Sequence, residues 1–137
     1  MQSPETLISR YTAAAIALDK DALLALYAPD VRLFDLMRPW QIKGTDEWGR
    51  SVERWFADVG TDPEVTASDI DVKTTAEMAV LTMRMDYYHV NTRGEREGMP
   101  NRLTWVAVPN GDDWVIVHEH TSVPLNEATM SPVFEAE

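Results

Sequence analysis

The sequence predicts an α+β domain in which N-terminal helices pack on one face of a curved antiparallel sheet. Up to about residue 60, apolar residues recur at helical spacing, and from Val65 onward they alternate with polar residues as in strands. Asn110 and Gly111 separate two apolar segments, and because both residue types tolerate positive φ, they predict a tight hairpin turn. Helices followed by an antiparallel sheet are typical of this fold class.

The first part of the chain predicts three helices and one strand. We predict a first helix that begins at Pro4, after the N-cap Ser3, and ends at Leu18. Two further helices follow the caps Asp19 and Thr45 and end near residues 27 and 59, and a strand is predicted at residues 31–37. Asp19 is the predicted N-cap of the second helix, because its side chain can accept a free backbone N–H. The apolar stripe of that helix ends with Leu26 and Tyr27.

The second part predicts four strands, at residues 65–74, 77–90, 101–108 and 114–124. Alternate side chains of a strand point to opposite faces. One face of the last strand would carry Trp114, Ile116, His118, His120 and Ser122, and the other Val115, Val117, Glu119, Thr121 and Val123. Since neither face is simply polar, we predict a central strand that is covered on both sides.

Length and composition indicate one domain spanning residues 1–137, with residues 125–137 as a loosely held tail. The net charge of −11 argues against nucleic-acid binding, which depends on Lys and Arg. No apolar run approaches the roughly 20 residues of a membrane span, so we expect no membrane partner. The chain has no cysteine and no visible signal peptide, which favours a cytoplasmic location. We expect no cofactor.

Several motifs resemble those of one protein family. These are Leu26-Tyr-Ala-Pro-Asp30, Phe34-Asp35 and the terminal Trp114-Val-Ile-Val-His-Glu-His-Thr-Ser-Val-Pro124. Together with the element order, they resemble the SnoaL-like and ketosteroid-isomerase-like branch of the NTF2-like superfamily. The resemblance covers about residues 7–124 and implies a cone-shaped fold with a pocket for a small apolar or ring-containing molecule. It does not specify a reaction, because the superfamily hosts many functions.

The resemblance also suggests catalytic residues. In ketosteroid isomerases, a Tyr on the first helix donates to an oxyanion and an Asp on the first strand acts as general base; Tyr11 and Asp35 match these positions. The third member, a protonated Asp, is replaced or crowded by Trp105, which argues against steroid isomerisation. Alternatively, Asp35 bonds a backbone amide or an arginine, and Tyr11 packs in the core with its hydroxyl hydrogen-bonded.

Three polar residues of the last strand are further candidates. Glu119 is either a second acid or base across the cavity from Asp35, or the ion-pair partner of Arg84 or Arg102, and we favour the ion pair. His118 and His120 share one strand face, at a spacing that suits a metal, a pocket role or hydrogen bonding at a subunit contact. The sequence does not fix a third and fourth ligand, so we predict no metal site.

Apolar side chains complete the predicted site. Trp40, on a loop, is expected at the cavity mouth, and Trp55, Met83 and Trp105 are candidates for its lining. We therefore expect a homodimeric small-molecule-binding protein, with isomerase, cyclase or dehydratase chemistry by proton transfer on an apolar ring or polyketide-like substrate. The alternative is a non-catalytic ligand-binding or oligomerisation module. A polar cavity around Asp35 favours the enzyme, and a cavity filled by Trp side chains favours the module.

Overall fold

The computed structural model of the chain describes residues 1–135. Its helices are α1 (Thr6–Ile16), α2 (Lys20–Leu24) and α3 (Gly44–Asp58). Its strands are β1 (Tyr27–Phe34), β2 (Ile42–Lys43), β3 (Thr61–Thr74), β4 (Ala79–Val90), β5 (Arg96–Asn110) and β6 (Asp113–Ser122). Asp19 caps α2 as predicted, because its Oδ1 accepts the backbone N–H of Ala22 at 3.0 Å.

The strands form one sheet in the order β2-β1-β6-β5-β4-β3, and the helices pack against one of its faces. The α+β architecture is therefore confirmed. The sheet is mixed, because β1 runs parallel to β6 while the other neighbouring strands are antiparallel. The core lies between the helices and this inner face, and its buried side chains include Leu7, Val52, Leu81 and Trp105.

The predicted hairpin at Asn110-Gly111 is confirmed. Asn110 pairs with Asp113, and Gly111 adopts a φ of 64°, a left-handed conformation that glycine adopts without steric cost. The strand before the turn is longer than predicted, since it begins at Arg96. The strand after it is central, because β6 lies between β1 and β5.

A β-bulge overturns the predicted faces of β6. Ile116 pairs with Ala107 and His118 pairs with Val106, so Val117 is an extra residue in β6. Because a bulge shifts the alternation by one position, residues after it change face. Trp114 and Ile116 point inward before the bulge; Glu119 and Thr121 point inward after it. The prediction that Glu119 shares a face with Val115 and Val117 was wrong.

Tyr27 was also misplaced by the sequence pattern. The prediction that it extends the second helix was wrong, since α2 ends at Leu24 and Tyr27 begins β1, paired with Ile116. Pro29 explains the change, because proline lacks an N–H donor and disfavours helical geometry in the residue before it. The Tyr27 ring is buried and meets Trp48 edge-on, with ring centroids 5.9 Å apart.

Among residues 1–135, the helices pack on the inner face of the sheet and none lies on its outer face. Beyond β6, Leu125 forms an isolated bridge with Pro132, and most side chains of this tail are exposed. The last two residues of the predicted tail, 136 and 137, lie outside the described residues. None of the helices in the described part of the chain is long and apolar enough to cross a bilayer.

Candidate functional site

Glu119 is the centre of a buried polar cluster. It is 2 % exposed, and its Oε1 accepts two hydrogen bonds, from the Tyr27 hydroxyl at 2.6 Å and from the Trp105 indole N–H at 2.7 Å. Burial raises the pKa of Glu119 to about 7, although both hydrogen bonds act in the opposite direction. A carboxyl group with a pKa near neutral pH can both release and accept a proton, as acid–base catalysis requires.

The predicted ion pair of Glu119 with an arginine was wrong. Arg84 instead binds Asp86 at 2.9 Å, and Arg102 donates to the Ser122 hydroxyl at 3.2 Å. Both arginines lie on the outer face of the sheet, whereas the bulge turns Glu119 inward. Glu119 therefore has neutral partners, which compensate its burial less strongly than a cation would.

Tyr11 and Tyr87 form a second buried pair beside this cluster. Their hydroxyl groups are 2.8 Å apart. The Tyr11 ring contacts the Trp105 ring edge-on, with centroids 5.2 Å apart. Burial raises the pKa of Tyr11 and of Tyr87, so both hydroxyls stay protonated. Trp105 thus lies between the two polar groups and fills the interior that they share.

Asp35 lies where β1 leaves the sheet and is half-buried. Its Oδ2 accepts the Met37 N–H at 3.0 Å, and its Oδ1 accepts the Thr121 hydroxyl at 3.2 Å. Thr121 Oγ1 in turn accepts the Leu36 N–H at 2.9 Å. Burial raises the pKa of Asp35, and the Met37 and Thr121 bonds partly oppose this. Asp35 therefore bonds a backbone amide at the start of its own loop, as the structural alternative predicted. Its pKa is nevertheless raised.

The structure does not join Asp35 and Tyr11 by a direct contact. Asp35 bonds the loop and Thr121, while Tyr11 bonds Tyr87. Neither residue lines the pocket between α1 and β3 or the pocket at the end of α3. Asp35 is nevertheless close enough to Glu119 to raise its pKa by electrostatic repulsion, so both carboxyls belong to one interior region.

A pocket of about 170 Å³ opens between the end of α3 and the adjoining ends of β3, β4 and β5. We call it the aromatic pocket. Its walls include Trp55, Tyr87, Val59, Ala15 and Met99. Trp55 contacts the Tyr87 ring edge-on, with centroids 5.6 Å apart. Because Tyr87 lines the pocket and bonds Tyr11, it connects the pocket to the buried cluster.

The remaining candidate residues lie apart from the cluster or in the core. Trp40 is 94 % exposed on its loop. His118 and His120 lie on the outer face, where both rings meet Phe34 edge-on, and His118 Nδ1 is 2.7 Å from the Arg32 carbonyl oxygen. Met83 is buried on the inner face. Within residues 1–135, no three His, Asp or Glu side chains are placed to hold a metal ion.

Sequence reasoning missed two members of the cluster. Tyr27 was assigned to a helix, and Tyr87 was not singled out in its strand. The available signal was the spacing of Met83, Met85 and Tyr87, which puts Tyr87 on the inner face of a predicted strand. A tyrosine at the inward-facing end of an apolar strand needs a partner for its hydroxyl.

Comparison with solved structures shows the same fold in proteins of low sequence identity. A protein of the NTF2-like group from Pseudomonas putida KT2440, whose function is unknown, is 21% identical and aligns with a TM-score of 0.85. That alignment covers 97% of this chain and 92% of the other. A ketosteroid isomerase-like protein from Erwinia carotovora atroseptica is 22% identical, with a TM-score of 0.71 and coverage of 87% and 92%.

The comparison with curated proteins finds no match. The family model described as a SnoaL-like domain matches residues 5–126, which is most of the chain and includes the whole buried cluster. This match, together with the shared fold, identifies the family. The chain belongs to the SnoaL-like domain family.

Proposed function

We propose that this protein binds a small, largely apolar, ring-containing molecule in the aromatic pocket. The observation that carries the proposal is that Tyr87 both lines this pocket and shares a hydrogen bond with Tyr11. The pocket lining thus combines apolar and aromatic side chains with polar ones, among them Tyr87 and His89, as is typical of small-molecule sites. The hydroxyl pair would orient a carbonyl or hydroxyl group on the bound ring.

The pocket volume limits the ligand. At about 170 Å³, it is close to the roughly 150 Å³ cavity that accommodates benzene. We therefore expect a one-ring ligand and no turnover of a four-ring steroid. Trp105 supports the same expectation, because its indole fills the interior beside Tyr11, where a larger ring would have to lie.

Binding can be measured by calorimetry with a panel of cyclohexenones and simple phenols. Met99→Trp should abolish binding by filling the pocket, whereas Ala57→Trp, at an exposed position of α3 outside the lining, should leave it unchanged. Tyr87→Phe should weaken the binding of oxygen-bearing rings about five- to tenfold and leave hydrocarbon rings unaffected. Unchanged affinity in Met99→Trp, or no binding at millimolar concentration, contradicts the proposal.

Proton-transfer catalysis is a second candidate function, favoured by the raised pKa of two interior carboxyls, Glu119 and Asp35. Isomerisation, cyclisation or dehydration would use one carboxyl as base and a tyrosine hydroxyl as donor. In that case, a ring ketone that binds should exchange its α-protons with D₂O, as followed by NMR. Exchange that is lost in Glu119→Gln or Asp35→Asn identifies the base; binding without exchange leaves the non-catalytic module as the function.

We also propose a homodimer formed through the outer face of the sheet. Phe34, at the end of β1, lies on this face with His118, His120 and the Arg32 guanidinium, which is 4.6 Å from the Phe34 ring centroid. Aromatic and arginine side chains are enriched in protein interfaces. Light scattering should give a dimer mass that Phe34→Glu converts to a monomer. A monomer mass for the wild type at micromolar concentration rejects the dimer.

A further inference from the structure

A groove along α1 exposes the free edge of β3. Strand β3 is the last in the sheet order and, within residues 1–135, pairs only with β4. The groove has a volume of about 400 Å³ and lies between α1 and β3. Ile8 and Ser9 line it on the helix, and the consecutive residues Val65, Thr66 and Ala67 line it on the strand.

The lining shows which part of β3 faces the groove. The groove borders β3 at Val65, Thr66 and Ala67, and because β3 is the last strand of the sheet, this stretch lies at the sheet edge. The edge carries backbone N–H and C=O groups that a neighbouring strand would bond. Val65 and Ile8 add apolar surface at the floor, and both are buried. The groove therefore offers a row of hydrogen-bonding groups beside an apolar wall.

The acidic side chains around the groove indicate which charge a partner should carry. Strand β3 contains four carboxylates (Asp62, Glu64, Asp69 and Asp71) and one lysine. Two carboxylates are paired, Asp71 with Lys73 and Glu64 with Arg96. Among residues 1–135, neither Asp69 on the strand nor Glu5 on the helix side has a cationic partner within salt-bridge distance.

We propose that the α1–β3 groove binds an extended, basic peptide segment of another protein, which adds to β3 as a seventh strand of the sheet. Backbone hydrogen bonds along the edge would give affinity, and Lys or Arg side chains would meet Glu5 and Asp69. A second copy of this chain is the wrong partner for this edge, because two acidic β3 strands would place like charges opposite each other.

Hydrogen exchange and fluorescence anisotropy test the proposal on the full chain. The probe is a labelled nine-residue peptide in which lysine alternates with valine and threonine. It should bind and slow amide exchange in residues 65–70 selectively. The same peptide N-methylated at alternate residues cannot form the hydrogen bonds along one edge, and a glutamate version carries the wrong charge. Both should bind at least about tenfold more weakly.

Two sets of variants locate the binding. Ser9→Trp narrows the groove from the exposed side of α1 and should abolish binding, whereas Ala13→Trp, exposed on the same helix but outside the lining, should not. Glu5→Gln with Asp69→Asn should weaken binding up to about fivefold per carboxylate, more at low salt. Asparagine tolerates the positive φ of 50° at residue 69, so this variant should fold.

Some outcomes overturn the proposal. These are the absence of binding at millimolar peptide, equal binding of the N-methylated peptide, or protection located outside β3. Association of the protein with itself through β3 would identify a second copy as the occupant and also overturn it. Binding to Ser9→Trp as tight as to Ala13→Trp would exclude the groove.

Discussion

Replacing Glu119 by glutamine tests whether ionisation of this buried carboxyl weakens the fold. Glutamine keeps an oxygen that can accept from Tyr27 and Trp105, yet it carries no charge at any pH. In the wild type, folding transfers a carboxyl group that is 2 % exposed into an interior with neutral partners. Burying the neutral acid costs little free energy, whereas burying the charged carboxylate costs much more.

The size of the effect follows from the two pKa values. The pKa of Glu119 rises from its ordinary 4.5 to about 7 in the folded chain, so folding takes up a proton between these pH values. A raised carboxyl pKa contributes stability that is fully present below pH 4.5 and is lost as the pH rises through 7. Between pH 5 and pH 8, the free energy of unfolding should fall by about 2–3 kcal/mol through this group alone.

Urea unfolding of the wild type and of Glu119→Gln at pH 5, 6, 7 and 8 measures this contribution. The free energy of unfolding of the wild type minus that of the variant should decrease by about 2–3 kcal/mol across the range, because other titrating groups cancel in the difference. Glu127→Gln, at an exposed tail position, is the control and should show no such trend. A difference that is independent of pH would refute a raised pKa at Glu119.

Three further substitutions test the surroundings of this site. Trp105→Phe removes one donor to Glu119, so its loss of stability in urea should be about 1 kcal/mol larger at pH 8 than at pH 5; an equal loss at both pH values would contradict the role of the indole N–H. Asp35→Asn keeps an acceptor for its loop and should change unfolding free energy by less than about 1.5 kcal/mol, while abolishing any exchange activity that uses it as base; intact exchange would exclude that role. Gly98→Ala places a Cβ 1.9 Å from a carbonyl oxygen of the neighbouring strand and should lower the free energy of unfolding, measured by heating, by about 2 kcal/mol or more. The control Gly94→Ala has open space around its Cβ and should lower it by about 1 kcal/mol. Equal losses of stability in the two variants would mean that crowding is not the cause.

The elements that local patterns determine were predicted well. The stripe of α1, the cap at Asp19 and the turn at Asn110-Gly111 depend on residues within a few positions of each other. The helices therefore appeared close to their predicted bounds, apart from the second. The second helix was predicted too long because Leu26 and Tyr27 continue its apolar spacing. In the structure, the conformational restriction that Pro29 places on the chain before it outweighs this spacing.

The candidate site was predicted only in part, because its contacts join distant residues. Tyr27 and Glu119 are separated by 92 positions, and Tyr11 and Tyr87 by 76. A pattern of apolar residues tells which face is buried, but it does not tell which polar groups meet across the core. An arginine was chosen for Glu119 because an unpaired buried carboxylate is costly, and the unbroken alternation assumed for β6 grouped Glu119 with Val115 and Val117 instead of Trp114 and Ile116.

The extra residue at Val117 affects how relatives of this protein should be aligned. A family member of the same length that pairs regularly here, without the bulge, would present the residues aligned to His118 and His120 to the interior, and the residue aligned to Glu119 to the solvent. Two sequences with the same His-Glu-His motif can therefore carry different interior chemistry. An alignment without a gap at this point would equate residues on opposite sides of the sheet. Before catalytic residues are transferred between members, the strand pairing on both sides of this position has to be compared.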